Sequence, residues 1–252
     1  MIARIALAET QAELTKTARL PGYVIPTLAF PLAFYAFFGL AFGASRQAGA
    51  TTIATYLLAT FGAMGVVAAA LFGFGVSVAL ERGQGWFLVK RASPMPPFAY
   101  VIGKLISAMT FSAIVVVLLF VLGAAFGGVR LAPAAWLVLL AALVFGAIPF
   151  GALGLAIGSI AGPNSAPAIV NLVYLPMSFA SGLWIPVEQL PDAVARVAPF
   201  LPTYHLAQLA LGTFSPGHGS ALMHILVLLA WASVGASAAA YALAHDEGKT
   251  YG

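Results

Sequence analysis

His205, His218, His224 and His245 are the side chains best suited to metal or acid–base chemistry in this chain, and their spacing favours neither. Zinc sites draw on closely spaced His, Cys or carboxylate ligands, whereas these histidines are scattered, cysteine is absent and acidic residues are few. His224 fits a satisfied packing residue near a helix end better than a ligand. Ser159 and Ser237 lie in Gly-rich apolar runs without a partner base, and neither GxSxG nor HExxH occurs. The pair Gly103-Lys104 superficially matches the end of a phosphate-binding loop. However, Phe98 stands where that motif needs its first glycine, and Leu105 follows the lysine. We therefore expect no catalytic residue, no metal site and no cofactor bound by this chain, which is not an enzyme.

Charge is concentrated instead in one stretch, ERGQGWFLVKRASPMPPFAYVIGK, from Glu81 to Lys104. It holds Glu81, Arg82, Lys90, Arg91 and Lys104 out of a total of 11 basic and 7 acidic residues. Charge-free runs of residues 47–80 and 105–129 flank it. Each is long enough to cross a bilayer, which takes about 20 apolar residues as a helix. The stretch must then lie on one side of a membrane.

The composition agrees. Of 252 residues, 62% are hydrophobic and 7% charged, against roughly 25% charged in soluble domains, and mean hydropathy is +1.01. Too little polar surface exists to cover such a chain in water. The runs are too long and continuous for the strands of about ten residues that make a membrane barrel. The formal net charge of +4 is better explained by membrane orientation than by nucleic acid. Residues 1–20 mix Arg4, Glu9, Glu13, Lys16 and Arg19 without an uninterrupted apolar core, so they do not read as a secretory signal.

These observations predict an all-α integral membrane protein, a single transmembrane domain spanning residues 1–252. Residues 1–20 form an interfacial amphipathic helix or a solvated terminus. Six spans follow, near residues 21–43, 52–80, 105–126, 134–161, 166–184 and 220–244. Phe30, Phe34, Phe37 and Phe38 share a face of the first, suited to lipid, to a neighbouring helix or to a hydrophobic substrate. Gly62, Gly65, Gly73 and Gly75 allow close approach to the second, and Gly154-x-x-x-Gly158 gives the fourth a small-residue face. Gly162-Pro163-Asn164-Ser165 divides the fourth from the fifth. Residues 185–218, broken by prolines, read as a short amphipathic helix and a re-entrant outer segment, which must be covered by protein or water. With both termini inside, eight basic residues (Arg4, Lys16, Arg19, Arg82, Lys90, Arg91, Lys104, Lys249) face the cytoplasm and three (Arg46, Arg130, Arg196) face out, as the positive-inside rule requires. No charged residue sits mid-span, which argues against a proton-coupled carrier or a voltage sensor.

Two motifs in this order resemble the permease subunits of type-two ABC exporters. The first is Glu81-x-x-x-Gly85 with Pro94 and Gly103-Lys104. The second is Gly182-Leu183-Trp184-Ile185-Pro186, Leu190-Pro191, Pro199 and Leu201-Pro202-Thr203-Tyr204. Six spans and the length carry the resemblance across nearly the whole chain. In one departure, Leu88 stands where that family often has an acidic residue.

The resemblance implies a permease of the bacterial inner membrane that pairs with a second permease copy, most simply as a homodimer, and with two copies of a separate ABC ATPase subunit. That partner binds the ATP and Mg. Residues 81–104 become the ATPase-coupling segment: Glu81, Arg82, Gly85, Trp86, Phe87, Lys90, Arg91, Pro94, Gly103 and Lys104. Within it, Trp86 to Val89 could plug a groove on the ATPase and Lys90 and Arg91 could steer it. The bland alternative is aromatic anchoring in the interface. Glu81 and Lys104 could fix the loop by an ion pair which, if exposed, contributes only about 0–1 kcal/mol. Passage between two copies points to Thr55, Thr60, Asn171, Tyr174 and Ser178 as pathway residues. The outer segment is represented by Pro186, Glu188, Pro191, Pro202 and Tyr204. So apolar a pathway suits a hydrophobic or amphipathic compound, a drug or natural product, with lipid or lipid-linked glycan as the alternative cargo and an ATP-independent membrane transporter or membrane enzyme as the more distant alternative. Membrane lipid is the other partner, and no nucleic acid is expected.

Overall fold

The computed structural model describes residues 2–41, 47–48, 51–86, 92 and 95–245. Helix α1 is Ile2–Ala18, and Pro21 starts α2, Pro21–Phe34, which continues as a π-helical turn over Tyr35–Ala41. Proline suits the first helical turn, where its missing N–H has no partner to lose. Pro26 and Pro31 lie inside α2. A minimal hairpin pairs Gln47–Ala48 with Thr51–Thr52. Thr52 then caps α3, Ile53–Leu71, by accepting the Thr55 N–H. A π-helical stretch, Phe72–Val76, joins α3 to α4, Ser77–Gly83, as one rod. There follow α5 (Pro97–Ala125), α6 (Pro133–Phe145), α7 (Ala147–Ile160), α8 (Ala166–Ala180), α9 (Asp192–Val197), α10 (Pro202–Leu211) and α11 (Ala221–Ala244).

The expected spans appear with three differences. Among the described residues, five helical stretches are long and apolar enough to cross a membrane: Pro21–Ala41, Ile53–Gly83, Pro97–Ala125, Pro133–Ile160 and Ala221–Ala244. The expected fifth span is the short α8. Its 15 residues reach about 22 Å at 1.5 Å per residue, less than the roughly 30 Å hydrocarbon core. Pro176 lies within it, and Gly182 turns the chain at φ +80° just beyond. The fourth span is two helices meeting at Gly146. The third begins at Pro97 rather than near Leu105, so Gly103 and Lys104 are helical residues inside it.

The second span is the axis of the bundle. From Leu57 to Leu71 every residue is buried, so hydrophobicity all round the helix means enclosure by protein. Large apolar side chains cover the outside instead, among them Leu137, Val121, Leu172 and Leu226. Such an exterior matches hydrocarbon rather than water. Close packing falls where the small residues are. A Cβ on Gly158 would stand 2.7 Å from the Gly75 carbonyl oxygen, and one on Gly154 would stand 3.0 Å from that of Leu71. The Gly154-x-x-x-Gly158 face therefore seats α7 directly on the π-helical turn of the second span. Replacing Gly158 by Val should lower the unfolding free energy in nanodiscs by about 1–3 kcal/mol through overpacking. Gly22→Ala, where nothing stands within 4 Å of the new methyl, should lower it by nothing measurable.

Candidate substrate groove and coupling junction

Glu81 ends the second span and Lys104 lies in the second turn of the third, so antiparallel packing brings them together. Helix α1 crosses the same place. A Cβ on Gly103 would meet Glu9 Cγ at 3.1 Å and the Thr10 backbone nitrogen at 3.3 Å. This glycine therefore lets the α1 backbone lie close against α5. Helix α1 turns its polar side inward, burying Thr10, Glu13 and Thr17 and leaving Leu7 71% exposed.

Four charges meet there. The Lys104 ammonium donates to Glu13 Oε1 at 2.7 Å, Glu81 Oε1 at 2.9 Å and Ser77 Oγ at 2.8 Å, using all three of its protons. Lys16 donates to Glu13 Oε2 at 2.6 Å and also to Glu81 Oε1. Tyr100 donates its hydroxyl to Glu81 Oε2 at 2.7 Å, and its ring lies 5.1 Å from the Lys104 ammonium. Lys104, Glu13 and Glu81 are 2%, 5% and 8% exposed. Lys104, Lys16, Glu13 and Glu81 thus balance one another, and the oxygens of both carboxylates are occupied. Burial works against the charge of Lys16, but Glu81 and Glu13 outweigh it and hold the ammonium above its ordinary range. With the folded value raised, its stabilisation is complete below the ordinary lysine range and is lost only as pH rises past it.

The exposed Glu81–Lys104 pair expected from sequence is therefore a buried one, and Glu13 and Lys16 are the partners that expectation missed. Arg82 donates from Nη1 to the Gly158 carbonyl at 3.1 Å. Gly85 turns at φ +76°, in the left-handed region that favours glycine. Trp86 is 52% exposed, free to meet lipid or protein. Phe87, Lys90, Arg91 and Pro94 lie outside the described residues.

Beside this junction a groove of about 830 Å³ runs between α2, the second span and α8. Lys16 and Ser77 mark its charged end. Tyr23, Phe30, Phe34, Phe72, Tyr174, Phe179 and Trp184 supply its aromatic wall. Trp184 closes the far end, with its ring 4.8 Å from those of Phe34 and Phe179 and 5.7 Å from that of Phe61. Phe30 and Phe179 are 58% and 49% exposed, so the groove opens sideways.

Of the expected pathway residues, Asn171 and Tyr174 line this groove. Tyr174 donates to the Met64 carbonyl at 3.4 Å, and Asn171 donates to that of Pro167 at 3.1 Å. The others do not line it. Thr55 bonds the capping Thr52 at 2.8 Å. Thr60 is fully buried, its hydroxyl without a hydrogen-bond partner among the described residues. Ser178, also buried, donates to the Leu175 carbonyl at 2.9 Å. The first span supplies a further share of the wall through its Phe stripe. Phe30 and Phe34 of that stripe face the groove, while Phe37 and Phe38 pack on each other at 5.0 Å.

At the opposite end, Pro186 precedes a 3-10 turn, Pro191 precedes α9 and Pro202 is the first residue of α10. Glu188 is exposed. Burial pushes the half-buried Tyr204 hydroxyl above its ordinary value, and Glu188 adds to the shift. Three of the scattered histidines converge here. His224 bonds His205, whose other nitrogen meets the Pro199 carbonyl, and His218 bonds Gln208.

The ion junction generates a prediction. Lys104→Met leaves two carboxylates facing each other in a buried site, where loss of one partner costs about 3–5 kcal/mol. Adding Glu13→Gln should restore more than half of that loss, because Lys16 and Glu81 then remain as a neutral pair. A double-mutant cycle on unfolding in nanodiscs reads this coupling directly. Additive losses would contradict it.

Residues 6–215 match the model of the ABC-2 type transporter family. The chain is also similar to YvfS of Bacillus subtilis (strain 168), which carries the assigned name of a transport permease. The two are 28% identical over 220 residues, 87% of this chain and 89% of that one. The match takes in most of α1, the ion junction, the groove and the outer segment through α10, and the chain belongs to the ABC-2 type transporter family.

Proposed function

We propose that this chain is the membrane subunit of an ATP-driven exporter that moves an uncharged hydrophobic or amphipathic compound, a drug or natural product, out of the cytoplasm or the inner leaflet. The observation that carries this reading is the aromatic groove, open to the side and adjoining a junction whose charges are already neutralised. Among the described residues an ion would find no unspent counter-charge there, whereas an apolar or aromatic solute would lose only water and lipid contacts. Two copies, with α8 as a sixth, partial crossing of the membrane, would face each other across the two grooves. Both termini would then be cytoplasmic in a bacterial inner membrane, and residues 185–218 would form a re-entrant cap at the outer exit.

Energy would come from a separate ABC ATPase, two copies per assembly, docked on the segment between Gly83 and Pro97. Trp86 and Phe87 would enter its surface and Lys90 and Arg91 would steer the encounter. Helix α1, held by the ion junction, would make a second contact.

Vesicles containing the permease and its ATPase provide the test. ATP should drive accumulation of a lipophilic fluorescent probe, and a hydrolysis-deficient ATPase should abolish it. Phe34→Ala should weaken apparent probe affinity about tenfold, the effect of losing about 1.4 kcal/mol of aromatic contact. Reversing both Lys90 and Arg91 to Glu should reduce ATPase co-purification. Probe movement that needs no ATPase would overturn the proposal.

A further inference from the structure

His205 on α10 and His224 in the first turn of α11 meet ring to ring at the end of the bundle opposite α1. Their Nδ1 atoms are 2.8 Å apart, with ring planes inclined at 52°. Both are buried, at 5% and 7% exposure. The second nitrogen of each ring is fixed by a backbone carbonyl. His205 Nε2 lies 2.8 Å from the Pro199 oxygen and His224 Nε2 lies 2.6 Å from the His218 oxygen.

Proton counting follows. A carbonyl oxygen only accepts, so each Nε2 must carry hydrogen. A neutral imidazole has one N–H, so two neutral rings would then turn bare lone pairs toward each other at Nδ1. One additional proton converts that repulsion into an N–H···N hydrogen bond and makes one ring an imidazolium. A second proton would set two cations against each other with no acceptor between them. We propose that His205 and His224 form a buried binding site for a single proton, which fastens α10 to the start of α11.

The surroundings fit a site limited to one charge. Residues 53–76 of the second span, the fourth span and α8, all packed around α10 and α11, carry no charged side chain. The outer turns contribute Glu188, Asp192 and Arg196. Glu188 acts on His218, but among the described residues no carboxylate is hydrogen-bonded to either ring of the pair. Tyr204 meets His205 edge-on at 5.4 Å. Burial, with the neighbouring His224, pushes the His205 imidazole below its ordinary value, the direction that exclusion of a second charge requires. Helix α10 also closes the end of α8, where Thr203 donates to the Met177 carbonyl at 3.1 Å and bonds Ser181. Proton occupancy thus bears on how firmly the end of α8 is held.

The test uses the full chain, labelled with nitrogen-15 histidine in nanodiscs and titrated from alkaline to acid. A signal for one proton shared between two Nδ1 atoms should appear and then vanish as pH falls, a bell with one limb for each proton. Thermal stability should follow the same bell. In His224→Asn the amide can donate to His205 Nδ1 without an extra proton, so the fold should persist while the alkaline limb disappears. Two rings titrating independently, or a His224→Asn profile that keeps the alkaline limb, would overturn the proposal.

Discussion

A charge taken out of water must be met by protein groups, and this fold meets four of them at one junction. The cost of an isolated buried ion is several kcal/mol even after relaxation, so Lys104 is tolerable inside the third span only where three acceptors converge. Those acceptors come from α1, from Ser77 just after the π-helical turn, and from the end of the second span. Three helices remote in sequence are thereby required to arrive in one register. Greasy packing between helices in lipid has no comparable directionality, because lipid tails are as apolar as the side chains they would be exchanged for.

That register has a consequence for the groove. Ser77 accepts from Lys104 and itself bonds the Gly73 carbonyl, within the π-helical turn Phe72–Val76. Phe72, Gly73 and Val76 of that turn line the groove. A π-helical turn interrupts regular helix hydrogen bonding and marks functional sites in many helices. Here it lies between the charges and the apolar wall, pressed on its other side by Gly154 and Gly158. Displacement of α1 or of the end of the second span would reach the groove through a contiguous chain of bonded and packed atoms.

The spans were legible in the sequence because a charge-free apolar run of membrane length is seldom stable anywhere but in a bilayer. Glu81, Gly85, Gly103 and Lys104 were marked as well, but as parts of a cytoplasmic coupling segment, since charge in a sequence reads as exposure. What could not be read was the tertiary pairing. Glu13 lies 91 positions from Lys104, and nothing in its neighbourhood announces that α1 turns a polar face inward. His205 and His224 escaped for the same reason, being neighbours only through the turn between α10 and α11. The shortness of α8 depends on Pro176 and Gly182, whose effects are local, yet the apolar residues continuing to Trp184 concealed it. The groove wall was half visible, since the Phe stripe of the first span has helical spacing but no sequence rule says which neighbour it faces.

If the buried ion junction connects ATPase engagement to the groove, the fluorescence of Trp184 at the end of the groove reports it. In a variant whose other tryptophans are replaced by phenylalanine, assembled with the proposed ATPase in nanodiscs, nucleotide addition should change the Trp184 emission. This response should shrink severalfold when Lys104→Met and Glu13→Gln are introduced together, while ATPase binding is retained. An undiminished response in that doubly substituted protein would contradict that connection.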